Sequence, residues 1–313
     1  MISASLSKDN LLILLFHGVV RENKYLMRNY IRKHIEEDFF IALLSDLKEQ
    51  GPCLSMDEVY ELCKSGRTWP CNAFAITFDD GFENNYSIAA PVLKELSLPA
   101  TFYVTSNFIQ SNSMSWTDQA EFMIEKSVGS RRELTLPWLP SLTFNLSCPE
   151  NAIKFMSSLR SYIFENDNSD PQEVVSWLST ELAVPVPTTS NDPLDKKMSW
   201  EQVAELHRSP LFTIGGHTHT HPIMSHLSQQ QLDHEIDTNL ELLRTKSGVE
   251  TVHFAYPQGQ QNHYSERVVT ALKRKGILCC PTAIDGLNSV GMDPFHLRRY
   301  LVNDHWPTTS GTR

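Results

Sequence analysis

The sequence predicts an α/β fold in which repeated strand–helix units build a parallel sheet. Apolar, β-rich runs alternate with segments whose apolar residues recur at helical spacing, as in a helix over 86–96 between strands at 73–78 and 101–104. Polar residues directly follow several of these strands. Because the carboxyl ends of barrel strands gather at one rim, this second observation predicts a functional site there.

Composition narrows the classes of function. The chain has 313 residues, enough for one large domain or two, and a formal net charge of −10. It therefore lacks the basic footprint of a nucleic-acid-binding protein. The apolar run at 11–16 is too short for a membrane span and does not resemble an export signal. The six cysteines, without a Cys-x-x-Cys pair, are expected as free thiols. Together these features predict a cytoplasmic protein with no integral membrane segment.

Strand and helix patterns alternate in the N-terminal and C-terminal parts of the chain, and this alternation is interrupted in the middle. Further strands are expected at 11–16, 212–214, 251–255, 277–280 and 295–302. Further helices are expected within 37–64 and at 200–206, 227–243 and 267–275, with caps at Ser55, Ser199 and Ser228. Between about 106 and 197, helical segments and proline-rich stretches predict a mostly helical insertion that narrows the site to small substrates.

Two adjacent carboxylates, Asp79 and Asp80, end the strand at 73–78 and are followed by Gly81. Neighbouring carboxylates at a strand end repel each other unless a cation or a proton relieves them. Taken alone, Asp-Asp-Gly is also common turn chemistry. A second polar cluster later in the chain makes a metal-binding interpretation of this aspartate pair more favourable.

Three histidines, His217, His219 and His221, follow the strand at 212–214. A carboxylate with imidazoles is a usual ligand set for zinc or another divalent transition metal. An extended segment would place all three rings on one side, whereas a helical turn would align only His217 and His221. Pro222 disfavours helix before it, so spacing alone leaves His219 open. His17 also follows an apolar strand, at 11–16.

These motifs resemble those of the polysaccharide deacetylase family, the NodB homology domain of carbohydrate esterases. Residues 77–81 resemble the first family motif, 217–222 the second, and 254–259 the third. The resemblance covers about 11–105 and 198–302 and leaves the insertion outside. It implies one domain over 1–313, a distorted (β/α)7-type barrel, and metal-dependent hydrolysis of an N-acetyl group on an amino sugar.

The resemblance also implies roles for individual residues. Asp79 matches the catalytic base, and Asp80, His217 and His221 match the ligands of one divalent ion, with zinc expected. The family pattern leaves His219 outside the ligand set. Tyr256 and Pro257 fall in the region that meets the substrate or the oxyanion.

The sequence departs from the family pattern at two places. Many members carry an arginine in the third motif that holds the catalytic aspartate, and 254–259 has none; Arg298 and Arg299 are the candidates to replace it. A late Leu-x-His motif, which supplies the general acid, is also missing. Leu15-Phe16-His17 has that form, and it resembles a branch with the acid histidine on the first strand. His17 is therefore the expected acid, with His296 and His305 as the next candidates.

The sequence leaves other functions to be weighed. In amidohydrolase-type barrels the His-x-His ends the first strand and the metal aspartate comes late, the reverse of the order here. The His-x-Asp/Glu spacing of many iron oxygenases is absent. A non-catalytic sugar-binding homologue stays open because of the missing arginine, as does hydrolysis of a non-sugar amide. The expected substrate is an N-acetyl or N-formyl amino sugar in a glycan, sugar nucleotide or natural-product intermediate.

Overall fold

The computed structural model describes residues 7, 9–130, 132–166 and 169–303, and it divides into two compact units. The first contains the chain up to Glu22, Lys33–Asn112, and the chain from Lys197 onward. The second contains Asn23–Arg32 and Ser113–Lys196. The sequence contains no signal that would have assigned 23–32 to the same unit as the middle of the chain.

Strands and helices are numbered in chain order. The strands are β1 (Asn10–Phe16), β2 (Gly18–Val20), β3 (His34–Glu36), β4 (Cys53–Leu54), β5 (Phe74–Phe78), β6 (Ala100–Val104), β7 (Glu133–Leu136), β8 (Leu139–Asn145), β9 (Phe212–Gly216), β10 (Asn288–Ser289) and β11 (Tyr300–Leu301). The helices are α1 (Glu37–Gln50), α2 (Met56–Ser65), α3 (Ala90–Glu95), α4 (Ser106–Ser111), α5 (Trp116–Lys126), α6 (Pro149–Glu165), α7 (Pro171–Leu182), α8 (Trp200–His207), α9 (Gln229–Leu242) and α10 (Glu266–Arg274).

The first unit is a distorted, mostly parallel barrel, which confirms the predicted fold class. Its regular strands lie in the order β11, β1, β5, β6, β9, each parallel to the next. Single parallel bridges, Gly216 to Phe254 and His253 to Cys279, continue the ring. Backbone hydrogen bonds then join residues 280–284 to residues 294–299, which precede β11, and the barrel is closed there.

The later barrel strands are less regular than the sequence predicts. The expected strands at 251–255 and 277–280 form only single bridges, and only Tyr300–Leu301 of 295–302 is a regular strand. Pro257 lies two residues after the first of these segments, and Pro281 directly follows the second. Because proline has no backbone N–H, it cannot extend a ladder of hydrogen bonds.

Alternation along the first strands decides which side chains enter the barrel. Phe16, Phe78 and Phe102 stack in succession, with ring centroids 5.2 and 5.0 Å apart, and they pack in the same apolar cluster as α1. Since neighbouring residues of a strand point to opposite faces, the residue after each phenylalanine tends toward the barrel interior. His17 follows Phe16 and Asp79 follows Phe78, so the sheet directs both toward the same interior.

The helix caps of the first unit agree with the sequence. Ser55, Ser199 and Ser228 each form the capping box that begins α2, α8 and α9. The helix expected over 86–96 instead begins with a π-helical turn at Asn85–Ala89 before α3. Pro91 lies at the second position of α3, where its missing N–H and its ring disfavour a regular preceding turn.

The second unit has its own apolar core, formed by α5, α6, α7 and the β7–β8 hairpin. The proline-containing run at 134–146 is this antiparallel hairpin. The segment 23–32 is bound through its backbone, because the Glu125 carboxylate accepts from the N–H groups of Met27 and Arg28 at 2.9 and 3.0 Å. Arg28 also forms a buried ion pair with Asp195. These contacts join residues that are about ninety or more positions apart, which local patterning does not show.

All six cysteines are free thiols, as predicted. In the part of the chain that the structure describes, none of the helices combines the length and the apolar character needed to cross a membrane.

Candidate metal and catalytic site

The ends of β5 and β9 bring three metal-ligand candidates together. The Oδ1 atom of Asp80 lies 3.2 Å from Nε2 of His221 and 3.6 Å from Nε2 of His217. One potential ligand atom from each residue lies within 4.8 Å of the other two. Asp80 is buried, and its Oδ1 has no hydrogen-bond partner among the described residues. Since an orphaned buried carboxylate oxygen is costly, the arrangement fits a bound cation.

The protonation states of this group also suit a metal. Burial lowers the pKa of His217 to about 4, although Asp79 and Asp80 oppose the shift, so its ring is neutral at pH 7. Burial alone would raise the pKa of Asp80, but His221, His17 and His217 together outweigh this effect and the pKa lies well below its ordinary value. A carboxylate and a neutral imidazole are the ligand forms of these groups.

A hydrogen bond outside the ligand group orients His217. Its Nδ1 lies 2.9 Å from the carbonyl oxygen of Ala255, to which it donates as an N–H. This assigns the lone pair to Nε2, the atom that faces Asp80. The first residues of the third motif thus reach the site through a backbone carbonyl.

The loop between the two ligand histidines adopts a conformation that spacing does not predict. Thr218 and His221 have φ values of +62° and +66°, so the loop is neither extended nor helical. The N–H of His221 donates to Oγ1 of Thr218 at 3.1 Å. The His219 ring turns to Ser106, with Nδ1 2.9 Å from Oγ. His219 therefore lies outside the group formed by Asp80, His217 and His221.

Asp79 forms a two-point ion pair with Arg299. Nη1 and Nη2 of the guanidinium each lie 2.8 Å from one carboxylate oxygen, and both residues are buried. Nη1 also donates to Oγ1 of Thr77, and Nε donates to the carbonyl of Thr282. Burial alone would raise the pKa of Asp79, but Arg299 and His217 outweigh it and the pKa lies below 3.8, its ordinary value. Asp79 is therefore ionised at neutral pH.

Arg298 has no part in this pair. Its side chain is exposed and donates to the carbonyl of Asp285 at 3.1 Å. The structure thus separates the two candidates of the sequence: Arg299 contacts the aspartate and Arg298 does not. Burial alternates along this segment, with Leu297 and Arg299 buried and Arg298 exposed.

His17 lies in the field of both aspartates. Burial lowers the pKa of its imidazole, while Asp80 and Asp79 act in the opposite direction. Its Nδ1 is buried without a hydrogen-bond partner among the described residues. Its carbonyl accepts from Nδ2 of Asn85 at 2.7 Å, which ties the end of β1 to the helical turn after the aspartates.

The other expected site residues lie elsewhere in the fold or outside the described residues. The Tyr256 ring stacks on Tyr264, and its hydroxyl donates to the carbonyl of Phe295, so this side chain is not in the ligand group. Pro257 forms a tight turn in which its carbonyl accepts from Gly259. His296 lies beside Tyr264, with Nδ1 3.1 Å from the hydroxyl. His305 lies outside the described residues.

Two buried polar residues of α9, Glu235 and Asn239, are not singled out by the sequence. Both bond to the loop between the ligand histidines. The sequence did contain a sign of their burial. They lie four residues apart on one helix face, beside the apolar stripe of Leu232, Ile236 and Leu240. Thr77, which supports Arg299, lies in the first family motif, but the motif alone gives it no role.

The model of the family described as polysaccharide deacetylase matches residues 66–135 and 172–278, more than half of the chain. The chain belongs to the polysaccharide deacetylase family. The matched residues contain the three ligand candidates and Asp79 but neither His17 nor Arg299.

Solved structures of deacetylases share the fold of this family member. Streptococcus pyogenes deacetylase PplD, in complex with acetate, has a TM-score of 0.60 at 16% identity, with 95% of this chain and 93% of that chain covered. IcaB from Ammonifex degensii has a TM-score of 0.58 at 19% identity, with 95% and 93% covered. A de-N-acetylase from Aggregatibacter actinomycetemcomitans has a TM-score of 0.58 at 16% identity, with 96% and 97% covered. Identities this low bear on the fold alone. Among curated protein sequences, none matches this deacetylase-family chain.

Proposed function

We propose that this chain is a metal-dependent hydrolase that removes an N-acetyl or N-formyl group from an amino sugar. One observation carries the proposal: an ionised, arginine-paired Asp79 stands beside a buried group of one carboxylate and two imidazoles. Together these residues provide a proton acceptor and a cation site at one strand edge. Family membership supplies the sugar as the substrate class.

Asp80, His217 and His221 would hold the cation. Mixed nitrogen and oxygen donors in a group of three are typical of catalytic zinc sites and suit other divalent transition metals as well. When bound, such an ion lowers the pKa of a coordinated water and polarises the acyl carbonyl.

Asp79 and His17 divide the proton transfers between them. Asp79 takes a proton from the attacking water, and Arg299 keeps its carboxylate ionised and oriented. The C–N bond then breaks, and His17 gives a proton to the departing amine. The products are a carboxylate and a free amino sugar. Any contribution of Tyr256 and Pro257 to stabilising the oxyanion comes from their backbone, because the Tyr256 side chain is engaged elsewhere.

The Asp79–Arg299 pair also bears on the non-catalytic alternative. That alternative rested on the lack of an arginine in the third motif. Arg299, 220 residues further along the chain, makes a two-point pair with this aspartate. The pair therefore supports catalysis rather than its loss.

The test combines zinc content with acetate release from N-acetylglucosamine oligosaccharides. Wild-type protein should bind one zinc ion per chain and release acetate, and a chelator should abolish the release. His221→Ala should lose the ion and the activity together, because it removes one of three ligands. His219→Ala is the matched control from the same loop and should keep the ion.

Full zinc occupancy in His221→Ala would contradict the ligand assignment. Zinc binding without acetate release would favour a sugar-binding homologue or a different acyl group, which formyl substrates would separate. Release of acetate only from non-sugar amides would move the chain to another substrate class.

A further inference from the structure

The His217–His221 loop holds both ligand histidines in place only while it keeps an unusual backbone shape. Thr218 and His221 occupy the left-handed region, which side-chain-bearing residues rarely adopt. Residues in such conformations persist when the surrounding structure over-determines them. The groups that form hydrogen bonds to this loop are therefore candidates for holding the two histidines in position.

Glu235 satisfies the middle of the loop. Its Oε2 accepts from the backbone N–H groups of His219 and Thr220, both at 2.8 Å, and its Oε1 accepts from the Thr220 hydroxyl at 2.6 Å. The residue is 7% exposed. A carboxylate this deeply buried is costly unless several donors surround it, and here the loop supplies three.

Asn239 binds the beginning of the loop from the next turn of α9. Its Nδ2 donates to the carbonyl of Thr218 at 2.6 Å and to that of Val104, at the end of β6, at 3.0 Å. Gly216 makes this approach feasible, because a Cβ there would lie 2.5 Å from Oδ1 of Asn239. One amide group thus joins the loop to the neighbouring strand end.

We propose that Glu235 and Asn239 are positioning residues for the metal site. They act through the loop, fixing its left-handed turns so that His217 and His221 face Asp80 before an ion arrives. The inference rests on the proposed function, since it assumes that these three residues bind a metal. It adds two residues of one helix face, four positions apart, whose described contacts are with the loop.

Zinc affinity, measured by competition with a chromogenic chelator, tests this role without any substrate. Glu235→Ala should weaken zinc binding by about 10- to 100-fold, the usual effect of losing a group that orients metal ligands. Glu235→Gln should restore most of the affinity, because its amide oxygen can accept the two N–H groups and its NH₂ can donate to the Thr220 hydroxyl. Asn239→Ala should weaken binding in the same direction.

Glu241→Ala is the matched control, since Glu241 is an exposed glutamate of the same helix. It should leave zinc affinity unchanged. Thermal unfolding of the metal-free proteins separates positioning from folding, because a purely structural role would lower stability and leave the affinity of the folded protein intact. Should Glu235→Ala fail to fold, Thr220→Val removes one of the three bonds from the exposed side of the loop, and a several-fold weaker affinity is expected there.

Wild-type zinc affinity in folded Glu235→Ala or in Thr220→Val, or no rescue by Glu235→Gln, would overturn the inference. These outcomes differ from failure of the proposed function, in which wild-type protein itself would bind no zinc.

Discussion

In the proposed mechanism, Asp79 depends on its ion pair with Arg299. Arg299 makes two parallel bonds to the carboxylate from a fully buried position. Charge-assisted, bidentate pairs of this kind fix orientation as well as charge. A lysine keeps the charge but offers a single point of contact, so the substitution isolates the geometric contribution.

Arg299→Lys should move the acidic limb of kcat/KM to higher pH. Asp79 has a lowered pKa in the native protein, so it is already ionised above 3.8 and sets no limb in the neutral range. Weakening the pair raises that pKa, and the base is then protonated over a wider acidic range. The measurement is kcat/KM from pH 4 to 9 on the zinc-loaded enzyme. Arg298→Lys is the control, because Arg298 is the adjacent residue and its side chain is exposed. Identical pH profiles for the two variants would contradict the assignment of Arg299.

His17 and Asp79 should be separable by the leaving group of the substrate. His17→Ala should lose ~10²- to 10⁴-fold on an amide, the usual worth of a positioned acid, yet hydrolyse an activated ester well. The ester's leaving group needs no proton. Asp79→Asn should slow both substrates, because each needs the water activated. Zinc content measured alongside should stay at one ion in both variants.

Equal slowing of amide and ester by His17→Ala would show that His17 is not the acid. His296 would then be the next residue to substitute, although its contact with Tyr264 places it in another cluster.

At the scale of elements, a hydrogen bond joins the beginning of α2 to a late barrel strand. Oδ1 of Asp57 lies 2.8 Å from Nε2 of His253, and the hydroxyl of Thr213 on β9 donates to Oδ2 at 3.4 Å. The hydrogen bond to His253 is the largest cause of the lowered pKa of Asp57, which burial opposes. The segment at 253–254 has only single bridges, so this contact is one of its few side-chain anchors.

Asp57→Asn should destabilise the protein by about 1 kcal/mol at pH 7, the scale of one hydrogen bond to a partly exposed charge. Because the folded pKa is depressed, the stabilisation is complete above the ordinary value of 3.8 and is lost as the pH falls through the folded pKa. The difference between wild type and Asp57→Asn should therefore shrink toward pH 3, as measured by urea unfolding. Asp38→Asn is the control, since Asp38 also lies in the first turn of a helix. A difference that stays constant with pH would contradict the electrostatic origin.

At the scale of the whole molecule, the proposed metal site links the ends of two strands that are not neighbours. β6 lies between β5, which precedes Asp80, and β9, which precedes the histidines. An ion bound there would hold the barrel rim together across that strand. Binding to the native state alone also stabilises it by mass action.

Zinc at about 100 times its dissociation constant should add roughly 2.7 kcal/mol and raise the midpoint of thermal unfolding by several degrees. A chelator should reverse the increase. His221→Ala should show no increase, because one ligand is missing. An equal increase in that variant would place the stabilising ion elsewhere.

The sequence by itself determined the fold class, the caps and the chemical identity of the candidate site. Strand and helix periodicities are local, and polar residues at strand ends can be located from them. Asp79, Asp80 and His217 are therefore identifiable from their positions along the chain. Ser55 and Ser199 were equally readable, because a cap depends on residues only three positions apart.

Only the tertiary structure decided which arginine reaches Asp79. Asp79 and Arg299 are 220 residues apart. The choice between Arg298 and Arg299 depends on which of these adjacent side chains is buried. It also decided the place of His219, because left-handed turns at Thr218 and His221 leave no mark in hydrophobic spacing. The membership of 23–32 in the second unit depends on the Glu125 carboxylate of α5, which lies nearly a hundred residues away. Each of these outcomes rests on contacts between distant parts of the chain, whereas sequence patterns report interactions within a few residues.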